Sequence, residues 1–135
     1  VQLQMPASHP FNPLGSLRLA VACGRDGLVN RFVCERLFRH VWEGGQEAAD
    51  AQRLQTLTEE LAPHRPVNSD AVKAELKGNT EEAIARGVFG VPTFLVDGKL
   101  FWGFDALPML RGYLLGQDWS ETDWATAGQV GSYQR

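Results

Sequence analysis

From Leu14 to about Arg86 apolar residues recur at three- and four-residue spacing; the pattern is strand-like near the end of the chain and briefly at its start. Side chains repeat about every 3.6 residues around a helix and every second residue along a strand, so the long stretch predicts helices and the short one a sheet. Val1-Gln-Leu-Gln alternates apolar and polar residues and predicts a short strand, followed by a proline-punctuated loop from Pro6 to Pro13. Asn12-Pro13 reads as a helix start, Asn as N-cap and Pro at the first helical position, with the helix running from about Leu14 to Cys23 and closed by Gly24. On it Leu14, Leu17 and Val21 share a face, with Arg18 beside or opposite. Gly27 separates a second helix, about Leu28 to Glu43, whose apolar stripe is broad enough to predict packing on more than one side. Asp50 caps a third helix to about Ala62, with Leu54, Leu57 and Leu61 inward, ended by Pro63 and Pro66. Ser69 is the next cap. Asp70 to Arg86 is then one helix with Val72, Leu76, Ala83 and Ile84 inward, or it breaks at Gly78-Asn79 with Thr80 recapping.

The period changes after Gly87. Thr93 to Val96 reads as a buried strand, rich in β-branched and aromatic side chains, and Lys99 to Trp102 as its return. Asp97-Gly98 between them suits a type I′ turn, which needs positive φ at both central residues. Alternation puts one of Phe101 and Trp102 in the core and the other on the opposite face. Asp105 can cap a final helix, Ala106 to Leu115, where Pro108 is tolerable because it sits in the first turn. In the tail from Gln117 to Arg135, Trp119 and Trp124 are candidates for docking on the domain, and Ala127 to Arg135 reads as flexible. Val91-Pro92 leaves two readings: a trans proline opening a strand, or a cis bond whose preceding residue offers its N–H and C=O to an extended peptide.

Composition narrows the function. A chain of 135 residues suits one domain. A net charge of −3 with no basic block argues against nucleic acid, and no apolar run approaches the roughly 20 residues that span a membrane. Val1 opens no signal-peptide pattern, and without an initiator Met the native start is expected upstream. Cys23 and Cys34 fit neither a CxxC pair nor a zinc site and read as small buried hydrophobes, in keeping with a reducing cytoplasm. His9, His40 and His64 have no metal-ligand spacing and read as surface or loop residues. Glu59-Glu60 reads as a solvated helix face.

The run from Gly87 to Asp105, GVFGVPTFLVDGKLFWGFD, resembles the C-terminal signature of the 2-hydroxychromene-2-carboxylate isomerases and kappa-class glutathione transferases, within the DsbA-like thioredoxin superfamily. The resemblance extends over HPFNPLGSLRL, His9 to Leu19, and covers roughly Val1 to Leu115. It implies an α/β, thioredoxin-like fold with a helical insertion: strand and loop over 1–13, insertion over 14–86, a C-terminal β-β-α unit over 87–116, and the tail 117–135. The family's opening strand and helix, which carry a catalytic serine in the isomerases and transferases and cysteines in the oxidoreductases, are expected before Val1. No catalytic residue is therefore assigned within the chain, and it is expected to be mostly helical with a C-terminal hairpin. The open sheet position beside the Thr93 strand is expected to be filled by another segment or by a second copy, giving a homo-oligomer or strand-exchanged dimer.

The function the resemblance implies is a glutathione-dependent isomerisation in aromatic-ring catabolism, in which a glutathione thiolate adds to a conjugated carbon of a small aromatic-derived acid, a bond rotates, and the thiolate leaves. Val91, presented by a cis Pro92, would pair with the cysteinyl unit, and Phe104 would lie beside it. Asp105 would attract the γ-glutamyl ammonium, while N–H groups opening the last helix hold the carboxylate. Asn12, Phe89 and Trp102 are implied for the substrate pocket. Each has a plainer reading: a cap for Asn12 and Asp105, core packing for the aromatics. The family commonly shows Asp-Arg where this chain has Asp105-Ala106, which removes one charge contact. The alternatives are a DsbA-like thiol-disulfide oxidoreductase, with its CxxC in the upstream segment, and a non-catalytic binding or oligomerising module.

Overall fold

The computed structural model describes residues 2–117; Val1 and the tail with Trp119 and Trp124 lie outside the described residues. These residues form two compact units, one up to Ala83 and one from Ile84 onward.

The first unit is helical: α1 (Leu14–Cys23), α2 (Arg31–Trp42), α3 (Ala51–Leu61) and most of α4 (Asp70–Ala85). Helix α1 is central. Leu19 and Cys23 pack with Val33 of α2 and Leu57 of α3, and Val21 and Ala22 pack with Val72 of α4. A helix covered on two sides needs no single apolar stripe, so its spacing misplaced the inward face: Leu14 and Leu17 are exposed. On α2, Val33 and Val41 are buried while Phe32 and Phe38 face outward, and on α4 Ile84 is exposed.

Helix α2 begins later than its apolar run suggested. Asp26 and Gly27 both have positive φ, 52° and 75°, and turn the chain so that Arg25 and Leu28 exchange backbone hydrogen bonds of 3.0 and 2.9 Å. That tight turn takes Leu28 out of the helix. Asn30 supplies the cap, its Oδ1 accepting the Val33 N–H at 3.0 Å. Asp50 caps α3 in the same way through the Arg53 N–H at 2.8 Å, and Ala62 closes it in the left-handed region. Helix α4 runs unbroken through Gly78. Gln2 to Gln4 form no strand. Gln4 instead donates its N–H to the Trp42 carbonyl at 2.8 Å and accepts the Gly44 N–H at 2.8 Å, so the segment is tied to the end of α2 rather than to a sheet.

The second unit is a hairpin with a helix. Strands β1 (Thr93–Val96) and β2 (Lys99–Trp102) pair antiparallel, Thr93 opposite Trp102 and Val96 opposite Lys99. Asp97 and Gly98, at φ 49° and 75°, make the turn. A 3-10 turn, Phe104–Ala106, leads into α5 (Leu107–Leu114). Phe101 is 1 % exposed and its ring lies 5.7 Å from that of Tyr113, while Trp102 on the other face is 53 % exposed. The Tyr113 hydroxyl donates to Asp97 Oδ2 at 3.0 Å and ties α5 to the turn. Strand β1 is not buried as its composition suggested: Phe94 and Leu95 are each more than a third exposed. Among the described residues the sheet has only these two strands, so β1 has a neighbour on one side alone.

The whole is therefore mostly helical, five α-helices among the described residues, with one small antiparallel sheet.

Candidate functional site

The site is built at the end of the hairpin away from its turn. The Pro92 carbonyl accepts the Gly103 N–H at 2.8 Å, carrying the ladder one step beyond the Thr93–Trp102 pair. That bond brings Val91-Pro92 alongside Phe104-Asp105. The Val91–Pro92 peptide is cis, as is His9–Pro10. Val91 is 87 % exposed, and neither its N–H nor its C=O has a partner among the described residues. Gly103, at φ 86°, turns the chain from β2 into the 3-10 turn.

The loop before β1 is held against the aromatic face of the hairpin. Thr93 Oγ1 donates to the Gly90 carbonyl at 2.6 Å. A Cβ on Gly90 would sit 2.5 Å from Trp102 Nε1, so only glycine lets the backbone approach the indole this closely. Phe89 stacks on Trp102 with centroids 5.0 Å apart and planes inclined by 54°.

Beyond Gly103 lies an open groove of about 890 Å³, formed by the 3-10 turn and one face of α5. Phe104, Asp105, Pro108, Arg111 and Leu115 line it. Phe104 is 78 % exposed, and Asp105 is exposed with no ion-pair partner among the described residues. Asp105 does not cap the helix. The N-cap is Ala106, and no side chain bonds the first turn, because the 3-10 turn delays the α-helix to Leu107. The Phe104 and Asp105 N–H groups, which open the 3-10 turn, have no backbone acceptor among the described residues, whereas those that follow are spent or absent. Ala106 donates to Gly103 O at 3.3 Å, Leu107 donates to Phe104 O, and Pro108 has no N–H.

Val91, Pro92, Phe104 and Asp105 thus meet at one end of the hairpin, and Phe89 and Trp102 form one stack. Asn12 belongs to the helical unit. Its Oδ1 accepts the Leu14 N–H at 3.0 Å, which caps α1 from one position further out than expected, the formal cap being Pro13. Sequence reasoning passed over Arg111 and Leu115, whose spacing with Pro108 already marks one helical face.

One further expectation changes. His40 is neither on the surface nor in a loop: it is half-buried in α2, with Nε2 2.9 Å from the Ala48 carbonyl, and burial holds its pKa below the usual histidine range. Glu59 and Glu60 are exposed, as a solvated helix face requires, and Glu60 forms a two-point pair with Arg36, both contacts 2.6 Å. Cys23 is buried and free, its thiol pKa raised by desolvation, and Cys34 is half-buried and free. Among the described residues no three His, Cys, Asp or Glu side chains gather as a metal site, and no helix is long and apolar enough to cross a membrane.

Comparison with known proteins adds the ancestry. The family model of the DSBA-like thioredoxin domain matches residues 1–115. A 2-hydroxychromene-2-carboxylate isomerase of Sphingobium xenophagum is 32 % identical over 83 residues, covering 58 % of this chain and 43 % of the relative. One from Pseudomonas sp. (strain C18) is 36 % identical over 86 residues, 59 % of this chain and 40 % of the relative. Glutathione S-transferase kappa 1 of Rattus norvegicus is 29 % identical over 99 residues, 64 % of this chain and 43 % of the relative. The chain spans about two fifths of the length of each of these curated relatives. No solved structure matches it significantly.

Proposed function

Because the chain belongs to the DSBA-like thioredoxin domain family, whose model its residues 1–115 match, we propose that it carries the peptide-binding half of a glutathione-dependent isomerase acting on a small aromatic-derived acid. The observation that carries this reading is Val91: a residue 87 % exposed whose backbone donor and acceptor are both unpaired among the described residues. An extended tripeptide can satisfy both at once, as a strand does along a sheet edge. Glutathione fits the neighbouring groups too. Asp105 offers a free carboxylate to its ammonium, and Phe104 offers apolar surface beside the backbone contact. What glutathione supplies when bound is a thiol nucleophile. The chain's own part is to orient the peptide backbone at Val91 and its amino end at Asp105.

The exposed Trp102 indole, backed by Phe89, is the surface on which a flat ring would stack. The names of the two isomerase relatives support the substrate class. On the same reading residues 14–86 form the helical insertion and 87–116 the C-terminal β-β-α unit, the protein works in the cytoplasm, and the free edge of β1 is where another segment or a second copy adds a strand.

The test is a titration of the 135-residue chain with glutathione, followed by amide NMR and calorimetry, beside Asp105→Asn. Shifts at Val91, Gly103 and Asp105 are expected, with affinity reduced several-fold in the variant. A single charge-assisted contact at an exposed site contributes about 1 kcal/mol. A folded chain whose Val91 and Asp105 resonances ignore glutathione would remove the proposal.

A further inference from the structure

Helix α2 buries one face and leaves the other open. Val33 and Val41 are buried, and Arg36 is held by Glu60. The opposite face carries Arg31, Phe32, Glu35, Phe38, Arg39 and Trp42, with Glu43 as the C-cap. Phe32 is 59 % exposed and Phe38 64 %. Phe38 and Trp42 line an open groove of about 560 Å³ together with Leu3 and the charged Glu35, Arg39 and Glu43. Leu3 stands there because Gln4 is tied to Trp42 and Gly44 by two hydrogen bonds of 2.8 Å. Arg39 has neither a hydrogen-bond nor an ion-pair partner among the described residues, and Glu35 pairs with Arg31 of its own helix at 2.6 Å.

The residues of this face are arranged alike from either end. Counted outward from Leu37, Glu35 and Arg39 are each two residues away, Phe32 and Trp42 five, Arg31 and Glu43 six. Two copies of the helix packed antiparallel across a two-fold axis at Leu37 therefore set acid beside base and aromatic beside aromatic at every level. Along each helix Glu35 and Arg39 are about 6 Å apart and Phe32 and Trp42 about 15 Å. Phe32 of one copy comes level with Trp42 of the other, where the groove edged by Leu3 and Phe38 is open to receive it. Parallel packing would instead set Glu35 against Glu35 and Arg39 against Arg39, which like charge forbids. A foreign helix would need this pattern in reverse order; a second copy has it already. The two phenylalanines leave roughly 100 Å² each to bury, so the face lies at the low end of interface sizes and the pairing is concentration-dependent.

We propose that the outward face of α2 docks a second copy of this chain, the two helices antiparallel, with Glu35 beside Arg39 in both directions and Phe32 seated in the groove at Trp42. The inference goes beyond the glutathione reading, does not depend on it, and uses other residues than the free edge of β1.

The test is sedimentation equilibrium of the full chain between about 5 and 500 μM, a range suited to a weak interface, with a melting curve for each variant. The wild type should pass from monomer to dimer. Glu35→Arg sets base against base and Arg39→Glu acid against acid, so each should weaken the dimer at least about tenfold. Mixed in equal amounts the two variants should pair again, because positions 35 and 39 are then opposite in charge across both contacts. The double exchange Glu35→Arg/Arg39→Glu on one chain should likewise restore the dimer, and Phe32→Ala should weaken it. A wild type that stays monomeric throughout overturns the proposal. So does a dimer that both single variants leave intact, which would belong to another surface such as the β1 edge. Folded single variants that are monomeric alone and remain so when mixed overturn it as well. If a single variant fails to fold, the double exchange and Phe32→Ala decide: a dimer lost in the first or untouched by the second ends the assignment.

Discussion

Replacing Gly90 by alanine probes how tightly the loop before β1 is pressed on the aromatic stack. The added Cβ would meet Trp102 Nε1 at 2.5 Å, Cε2 at 3.2 Å and Cδ1 at 3.3 Å. Ordinary contact is about 3.5 Å, so loop and indole must separate by about 1 Å. Two responses compete. Forcing an extra methyl into a rigid site costs about 1–3 kcal/mol. Trp102, however, is 53 % exposed and can swing toward solvent, which sacrifices only its stacking on Phe89, about 0.5–1.5 kcal/mol. The cheaper route wins, so Gly90→Ala should cost about 1 kcal/mol, keep the fold and move the Trp102 indole N–H resonance. The sharper test is the sign in a second background. The φ of Gly90 lies outside the left-handed region, so alanine there is unstrained once the indole is gone. In Trp102→Ala, adding Gly90→Ala should be neutral or stabilising by up to about 1 kcal/mol, through the lost freedom of the unfolded chain. Denaturant unfolding of the four proteins closes the cycle. A destabilisation of the same size in both backgrounds would refute the assignment of the strain to the indole.

Phe101→Ala removes the most buried large side chain of the hairpin unit and should cost about 3–4 kcal/mol; faster amide exchange across β1 and β2, with α1 unaffected, is the expected signature. For His40, burial first and the Arg53 and Arg36 charges next hold the folded pKa down, against the Ala48 bond and Asp50. The fold then favours the neutral ring, so it loses nothing above the unfolded pKa near 6.5 and loses stability as pH falls from there toward the lower folded value, by at most about 1.4 kcal/mol per unit. His40→Gln keeps a donor for Ala48 and should flatten the urea midpoints between roughly pH 7.5 and 5.5; an unchanged slope would acquit His40.

The hairpin was legible because its signals are local. Asp97-Gly98 demands the turn, and the β-branched and aromatic residues beside it shape the strands. Its exposure was not legible, because the same residues suit a strand with one neighbour or two. Asp26-Gly27 is the same dipeptide, with both φ positive, yet no alternating run flanks it, and the helical period after it hid the turn and moved the expected start of α2. Helix α1 failed for a different reason. Apolar almost all round, it is covered by α2 and α3 on one side and α4 on another, and periodicity has no face to report. His40 was misread because burial of a lone histidine depends on what packs across it, here the Ala48 carbonyl and Arg53, a relation between segments that spacing within one helix does not contain.

The site shows the same division between residue type and position. Val91-Pro92 and Asp105 were picked out by likeness to a known signature, but their meeting depends on one bond, Gly103 N–H to the Pro92 carbonyl, that extends the ladder past the last strand pair. Asp105 has the right type for a cap. The positive φ of Gly103 and the 3-10 turn after it put Asp105 one residue too early, so its carboxylate is left to face the groove rather than the helix. Pro108 completes the change. As the second helical residue it removes one of the N–H groups that open α5. Arg111, on the face that begins with Pro108, lines the same groove.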